Sequence, residues 1–327
     1  MPYSLDYIYG AISPTFTVFH EDGRLDDDGQ RRFVDFLLQD NAISAYFVRS
    51  GMGLMYTFSM EDTLQIARNM CAHLKGIRPV LVGCSGIWDR NYDKRPDPDL
   101  YLQQGIKLGN ETLEMGAAAA VYTIPEALVP KEGQSHQDLI ETYFTTLCAQ
   151  VNGPVMVYQP PGTRKEYEIA PEVLRRLTAL PNFVAGKFST SEGYYAYELQ
   201  RAVRGCDFRY IVGNETMLYI GVMLGSRACI GQGAIINPQM LNALVDRYLT
   251  GNHAGVLAAQ DAINNLLKPN IHAVEFLKRY ATEKGFDTPL YSRSQKTNPY
   301  ASDRAAMTEG EYQNFKKLYE LEMQAFR

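Results

Sequence analysis

The sequence predicts a closed (β/α)8 barrel followed by a C-terminal helical extension. Three observations lead there. Eight short apolar runs recur between residues 8 and 233. Each is apolar on both faces, as strands covered on both sides by packed side chains must be. The segments between them space their apolar residues at i, i+3, i+4 and i+7, the helical period. Eight such units in about 240 residues fit a closed barrel better than an open doubly wound sheet. No GxGxxG follows the first run, which removes the main cue for a dinucleotide fold.

The strand-like runs are IYGAIS at 8–13, SAYFVRS at 44–50, RPVLVGCS at 78–85, AAAAVYT at 117–123, PVMVYQ at 154–159, NFVAGKFS at 182–189, FRYIVG at 208–213 and RACIGQG at 227–233. Helical spacing is plain in 30–40, 138–151 and 171–180. After residue 240 the alternation stops, and 240–250, 254–268, 271–284 and 310–326 all read as helices. The polar stretch from Gly285 to Gly310, with prolines at 289 and 299, reads as an ordered loop or linker. The expected division is a barrel over 1–240 and a helical extension over 241–327.

Composition excludes several classes. Of the 327 residues, 46% are apolar and 21% charged, the balance of a globular chain. Lys and Arg number 32 and Asp and Glu 37, so the net charge is −5. That leaves no basic excess for nucleic acid or an anionic membrane. The N-terminus lacks the basic and apolar regions of a signal peptide, and no apolar run reaches the roughly 18 residues that span a bilayer. The five cysteines are scattered, with no metal-ligand spacing. A reducing, cytoplasmic setting is expected. The five histidines show no ligand spacing either, so no metal is expected. Asp26, Asp27 and Asp28 form an acidic cluster, read here as a helix start, where carboxylates suit the positive dipole end.

Barrel enzymes carry their sites at the C-terminal ends of the strands. Lys187 ends the sixth run after Phe183, Val184 and Ala185. A charged ammonium is costly to bury there. Burial favours the neutral amine, the nucleophile of Schiff-base chemistry. Tyr158 ends the neighbouring fifth run, and its hydroxyl is a candidate acid/base.

Read together, the strand ends resemble the dihydrodipicolinate synthase / N-acetylneuraminate lyase family of Schiff-base aldolases. Gly10 to Thr17 resembles the family's first-strand G-x-x-x-P-x-x-T. Tyr158-Gln159-Pro160-Pro161 resembles its Y-N-x-P motif, and Gly186-Lys187 with Ser189-Thr190-Ser191 its lysine region. Gly213-Asn214-Glu215 resembles its G-x-[DE] segment, and Gly225 to Pro238 its G-x-x-G-x-I-[ST] region. The resemblance spans about residues 8–280. It implies that Lys187 forms an imine with pyruvate or another 2-oxo acid, that Tyr158 moves protons, that no cofactor is needed, and that the assembly is a homotetramer of tight dimers. Gly231 and Gln232, at the end of the eighth run, join the expected substrate-binding set.

Departures from the family pattern fall around the substrate. Its G-[TS]-[TS]-G-E carboxylate loop is Ser50-Gly51-Met52-Gly53-Leu54 here. Backbone amides of Gly51 and Met52, with the Ser50 hydroxyl, are expected to hold the acid. The aromatic pair after strand 4 is Glu126-Ala127, which makes Glu126 a candidate general acid/base or substrate-hydroxyl ligand, with a solvated loop residue as the alternative. The arginine for a distal carboxylate is shifted, with Arg164 beside the nearest position, Thr163. These losses argue against dihydrodipicolinate synthesis itself. A long loop, 86–99, carries the only tryptophan, Trp88, with Arg90, Tyr92 and Arg95. It reads either as a cover over the site or a contact to the distal part of a substrate, or else as a subunit contact or solvated insertion. The expected activity is a Schiff-base lyase, aldolase or dehydratase, acting on a 2-oxo acid such as a 2-keto-3-deoxy sugar acid. The rival is a non-catalytic barrel that binds a small acid or serves as an assembly subunit.

Overall fold

The computed structural model describes residues 3–269, 271–293 and 307–326. Eight parallel strands close in sequence order, with β8 pairing back to β1. They are β1 Gly10–Ser13, β2 Ile43–Val48, β3 Val80–Gly83, β4 Ala119–Thr123, β5 Val155–Gln159, β6 Phe183–Phe188, β7 Arg209–Val212 and β8 Ala228–Cys229. All eight expected runs hold a strand. The last is two residues long, because the chain after Cys229 turns directly into a helix.

The described helices through the barrel are α1 Asp27–Leu38, α2 Met60–His73, α3 Pro98–Glu114, α4 His136–Gln150, α5 Pro171–Leu177, α6 Gly193–Val203, α7 Leu218–Met223 and α8 Gly233–Ile236. Four more follow: α9 Pro238–Leu249, α10 His253–Leu267, α11 Ala273–Glu283 and α12 Glu309–Gln324. Their starts are written locally. Asp26 caps α1 by accepting the Gly29 N–H at 2.8 Å, so the acidic cluster is a helix start. Ser59, Ser135 and Thr308 form reciprocal capping boxes with Asp62, Asp138 and Glu311.

Two apolar layers explain the two-faced strands. Ile12, Phe47, Leu81, Val121, Met156, Ala185 and Ile211 fill the barrel interior. Val48, Val82, Tyr122, Val157, Phe183 and Phe188 pack outward against the helices. The alternation places Tyr158 with Met156, and Lys187 with Ala185, on the interior face. The boundary expected at 240/241 falls inside α9. Asn242 on that helix accepts the Ala11 N–H at 2.9 Å and donates to the Ala42 carbonyl at 2.8 Å, tying α9 to the barrel where β1 meets its neighbours. The expected loop from Gly285 to Gly310 lies partly outside the described residues. The last helices pack through aromatic contacts: Phe276 of α11 meets Phe315 and Tyr319 of α12. No helix among the described residues is long and apolar enough to cross a membrane.

Lys278 of α11 is buried and donates to the Thr17 carbonyl at 2.8 Å. Desolvation pulls its amine down from 10.5 to about 7, against the opposing charge of Asp26. Between those values folding strips a proton from it. The unfolded chain then binds more protons than the folded one, so stability rises with pH across that window. Denaturant melts at a series of pH values check this. Wild type gains on the order of a few kcal/mol from pH 7 to 10 through this group, and Lys278→Met loses that gain. A slope that persists in the variant contradicts the assignment.

Candidate active site

The pairing of β5 with β6 sets Tyr158 opposite Lys187. Both project inward at the C-terminal end of the barrel, Tyr158 fully buried and Lys187 only 5% exposed. Lys187 Nζ stands 4.1 Å from the centre of the Tyr158 ring and 6.0 Å from that of Phe47. An ammonium over a ring face gains from the ring quadrupole, which offsets part of its desolvation.

Glu215 shares this charged core, though the strand-end resemblance gave it no separate role. It is buried, and desolvation raises its carboxyl above the usual range, while backbone hydrogen bonds and the Lys187 charge pull the other way. Oε1 accepts the Gly233 N–H at 2.8 Å. A Cβ on Gly231 would come within 2.0 Å of Glu215 Oε2. Gly231 is therefore the space that lets this carboxyl approach, with Gln232 beside it in the turn into α8.

The loop after β2 is tied to the loop after β1. Ser50 Oγ accepts the Gly53 N–H at 3.0 Å and reaches the Thr15 carbonyl at 3.4 Å. Thr17 Oγ1 donates to the Gly53 carbonyl at 2.7 Å. Gly51 and Met52 lie in the turn between Ser50 and Gly53. Leu54, where the family carries Glu, takes a left-handed φ of 65°.

Glu126 and Arg164 have other partners. Glu126 is buried and accepts from the Tyr92 hydroxyl at 2.7 Å, the Arg164 backbone N–H at 3.0 Å and Arg90 Nη2 at 3.3 Å. The Arg164 guanidinium is exposed and stacks 3.6 Å from the centre of the Tyr92 ring. Both residues anchor the long loop. Arg90 Nη2 donates to the Gly162 carbonyl at 2.7 Å, Arg95 donates to the Glu126 carbonyl, and Trp88 meets the Tyr92 ring edge-on at 5.1 Å. The loop folds over the C-terminal end of the barrel.

Trp88 roofs a pocket that Phe47, Arg49, Tyr56, Ser85, Thr123 and Tyr158 also line. Tyr158 thus borders both Lys187 and this pocket. Arg49 and Tyr56 escaped the sequence reading. Arg49 directly precedes Ser50 at a strand end and was findable by the same rule. Tyr56 sits in a short 3-10 turn that carries no sequence signal.

The Glu126 carboxylate holds buried Arg90 in place. Glu126→Ala strands that guanidinium, and unfolding free energy falls by about 3 kcal/mol in denaturant titration. Trp88 emission shifts to the red as the roof loosens. Unchanged stability with unchanged emission contradicts the anchoring role.

Comparison with known proteins places this geometry. Residues 8–294 match the family model described as the Dihydrodipicolinate synthetase family. A 4-hydroxy-tetrahydrodipicolinate synthase from Pseudomonas aeruginosa is 28% identical over 273 residues, covering 83% of this chain and 84% of that protein. The solved N-acetylneuraminate lyase from Mycoplasma synoviae superposes with a TM-score of 0.76 at 15% identity, covering 99% of each chain. A prophage protein of the dihydrodipicolinic acid synthase family from E. coli K12, solved with pyruvate, superposes with a TM-score of 0.76 at 20% identity, covering 98% of this chain and 99% of that one. With the family model spanning the whole barrel and Lys187 and Tyr158 paired at its mouth, the chain belongs to the dihydrodipicolinate synthetase family of Schiff-base lyases.

Proposed function

We propose that Lys187 is the imine-forming nucleophile and Tyr158 the acid/base of a lyase acting on a 2-oxo acid, pyruvate or a 2-keto-3-deoxy sugar acid. The observation that carries this is the buried Lys187 amine against the Tyr158 ring at the C-terminal mouth of the barrel. The neutral amine attacks C2, and the carbinolamine loses water to give the imine. The imine draws the C–H electrons at C3 into an enamine as the proton leaves. Tyr158 carries protons to and from the carbinolamine oxygen and C3. The enamine forms or breaks a bond to an aldehyde carbon, and the same imine supports loss of water from a 3-deoxy acid.

The backbone amides of Gly51 and Met52 are the proposed holders of the C1 carboxylate. Gly231 and Gln232 bound the site from the β8 side. The reading extends to a homotetramer of dimers, supported by the family resemblance. It extends to a cytoplasmic setting, supported by five free thiols, Cys71, Cys84, Cys148, Cys206 and Cys229.

Borohydride reduction in the presence of pyruvate tests the nucleophile. A stable mass increment on the peptide that carries Lys187 is expected, and Lys187→Ala abolishes it. Tyr158→Phe lowers kcat about 10²–10⁴-fold while imine trapping persists. Absence of trapping across a panel of 2-oxo acids, with ligand-induced thermal stabilisation alone, favours a non-catalytic binding barrel.

A further inference from the structure

Arg49 is a buried cation that the catalytic reading leaves unused. It follows β2 with a left-handed φ of 46°, a conformation a non-glycine residue holds only when its surroundings impose it. It is only 4% exposed. Nη1 donates to the carbonyls of Gly83 at 3.0 Å and Ser85 at 2.8 Å, while Nε is buried with no hydrogen-bond partner. Among the described residues no carboxylate lies within ion-pair distance. Asp62, whose charge it feels, is itself paired with Arg293. Arginine stays charged inside proteins, and a buried charge needs a counter-charge.

The walls of the pocket suit an anion. Ser85 Oγ and Thr123 Oγ1 lie 3.0 Å apart. The Tyr101 hydroxyl interacts with both. Trp88 and Tyr56 close the sides, and no acidic side chain lines the space. Tyr158 both contacts Lys187 and borders this pocket. A substrate bonded at C2 to Lys187 therefore extends past Tyr158 with its remote end toward Arg49.

We infer that the Arg49 pocket receives a carboxylate at the end of the substrate remote from the keto group, so that the enzyme prefers 2-oxo acids carrying a second acidic group. The inference rests on the proposed role of Lys187. It gives the chain a distal anion site in place of Arg164, whose guanidinium is exposed and stacked on Tyr92. The guanidinium supplies the directional, charge-assisted hydrogen bonds that a planar carboxylate accepts. With the loop closed the pocket measures about 20 Å³, room for about one water, so an entering carboxylate displaces the Trp88 roof. Trp88 is the only tryptophan of the chain, which makes its fluorescence a direct reporter.

The test titrates the full-length protein with length-matched acids and follows Trp88 emission. The probes are 2-oxoglutarate against 2-oxopentanoate, and 2-oxoadipate against 2-oxohexanoate. The dicarboxylates are expected to bind at least about tenfold tighter, with the preference shrinking as salt rises. Arg49→Gln is expected to erase the preference and Arg49→Lys to retain part of it, with thermal melts run alongside. If Arg49→Gln does not fold, the wild-type comparison and its salt dependence still decide. Equal affinity of the matched acids, or a preference that survives Arg49→Gln, overturns the inference. Borohydride trapping of wild type with pyruvate separates the two readings. Trapping without discrimination sinks the Arg49 site alone, and failure of trapping sinks the Lys187 reading.

Discussion

The register between β5 and β6 is the constraint on which the site depends. Closing eight parallel strands leaves an interior that only apolar side chains fill at low cost. At the top of that interior the pairing Tyr158 to Lys187 sets an amine against an aromatic ring. A shift of one residue in β6 would turn Lys187 outward among the helices and bring Gly186 or Phe188 inward. Phe183 and Phe188, packed in the outer layer, resist that shift. The fold thus fixes this pair through the same apolar alternation that stabilises it.

Around this fixed pair the chain has rebuilt its surroundings. The hydroxyl-rich carboxylate loop of the family is replaced by a turn whose Ser50 and Gly53 are bound to the β1 loop. The residue replacing an aromatic after β4, Glu126, is spent on holding Arg90 and Tyr92. These two changes belong together. A long loop over the mouth needs an anchor inside the barrel rim, and a buried carboxylate with three donors provides it. The roof then brings Trp88 beside Tyr158 and encloses Arg49.

The barrel was legible because its signal is periodic and long-range in the sequence. Eight two-faced apolar runs and the helical spacing between them survive any local irregularity. The two-residue β8 was found through Arg227 to Gly233 as a run, although only Ala228 and Cys229 of that run form the strand. The placing of Lys187 and Tyr158 at one end of the barrel was legible because each is a polar residue ending an apolar strand. Partnerships were less legible. Glu126 and Arg164 sit at substrate-like positions, yet their partners come from a loop some 30 to 70 residues away in sequence. Arg49 ends an apolar strand just as Lys187 does, yet its isolation from carboxylates exists only in three dimensions.

If Lys187 turns a 2-oxo acid into an enamine, solvent exchange at C3 measures that step without any knowledge of the acceptor. Proton NMR of pyruvate in deuterated buffer is expected to show enzyme-dependent loss of the methyl signal. The loss should be slowed in Tyr158→Phe and absent in Lys187→Ala. Methyl protons that stay at the uncatalysed rate with wild-type enzyme, or exchange that continues unchanged without Lys187, would contradict the account.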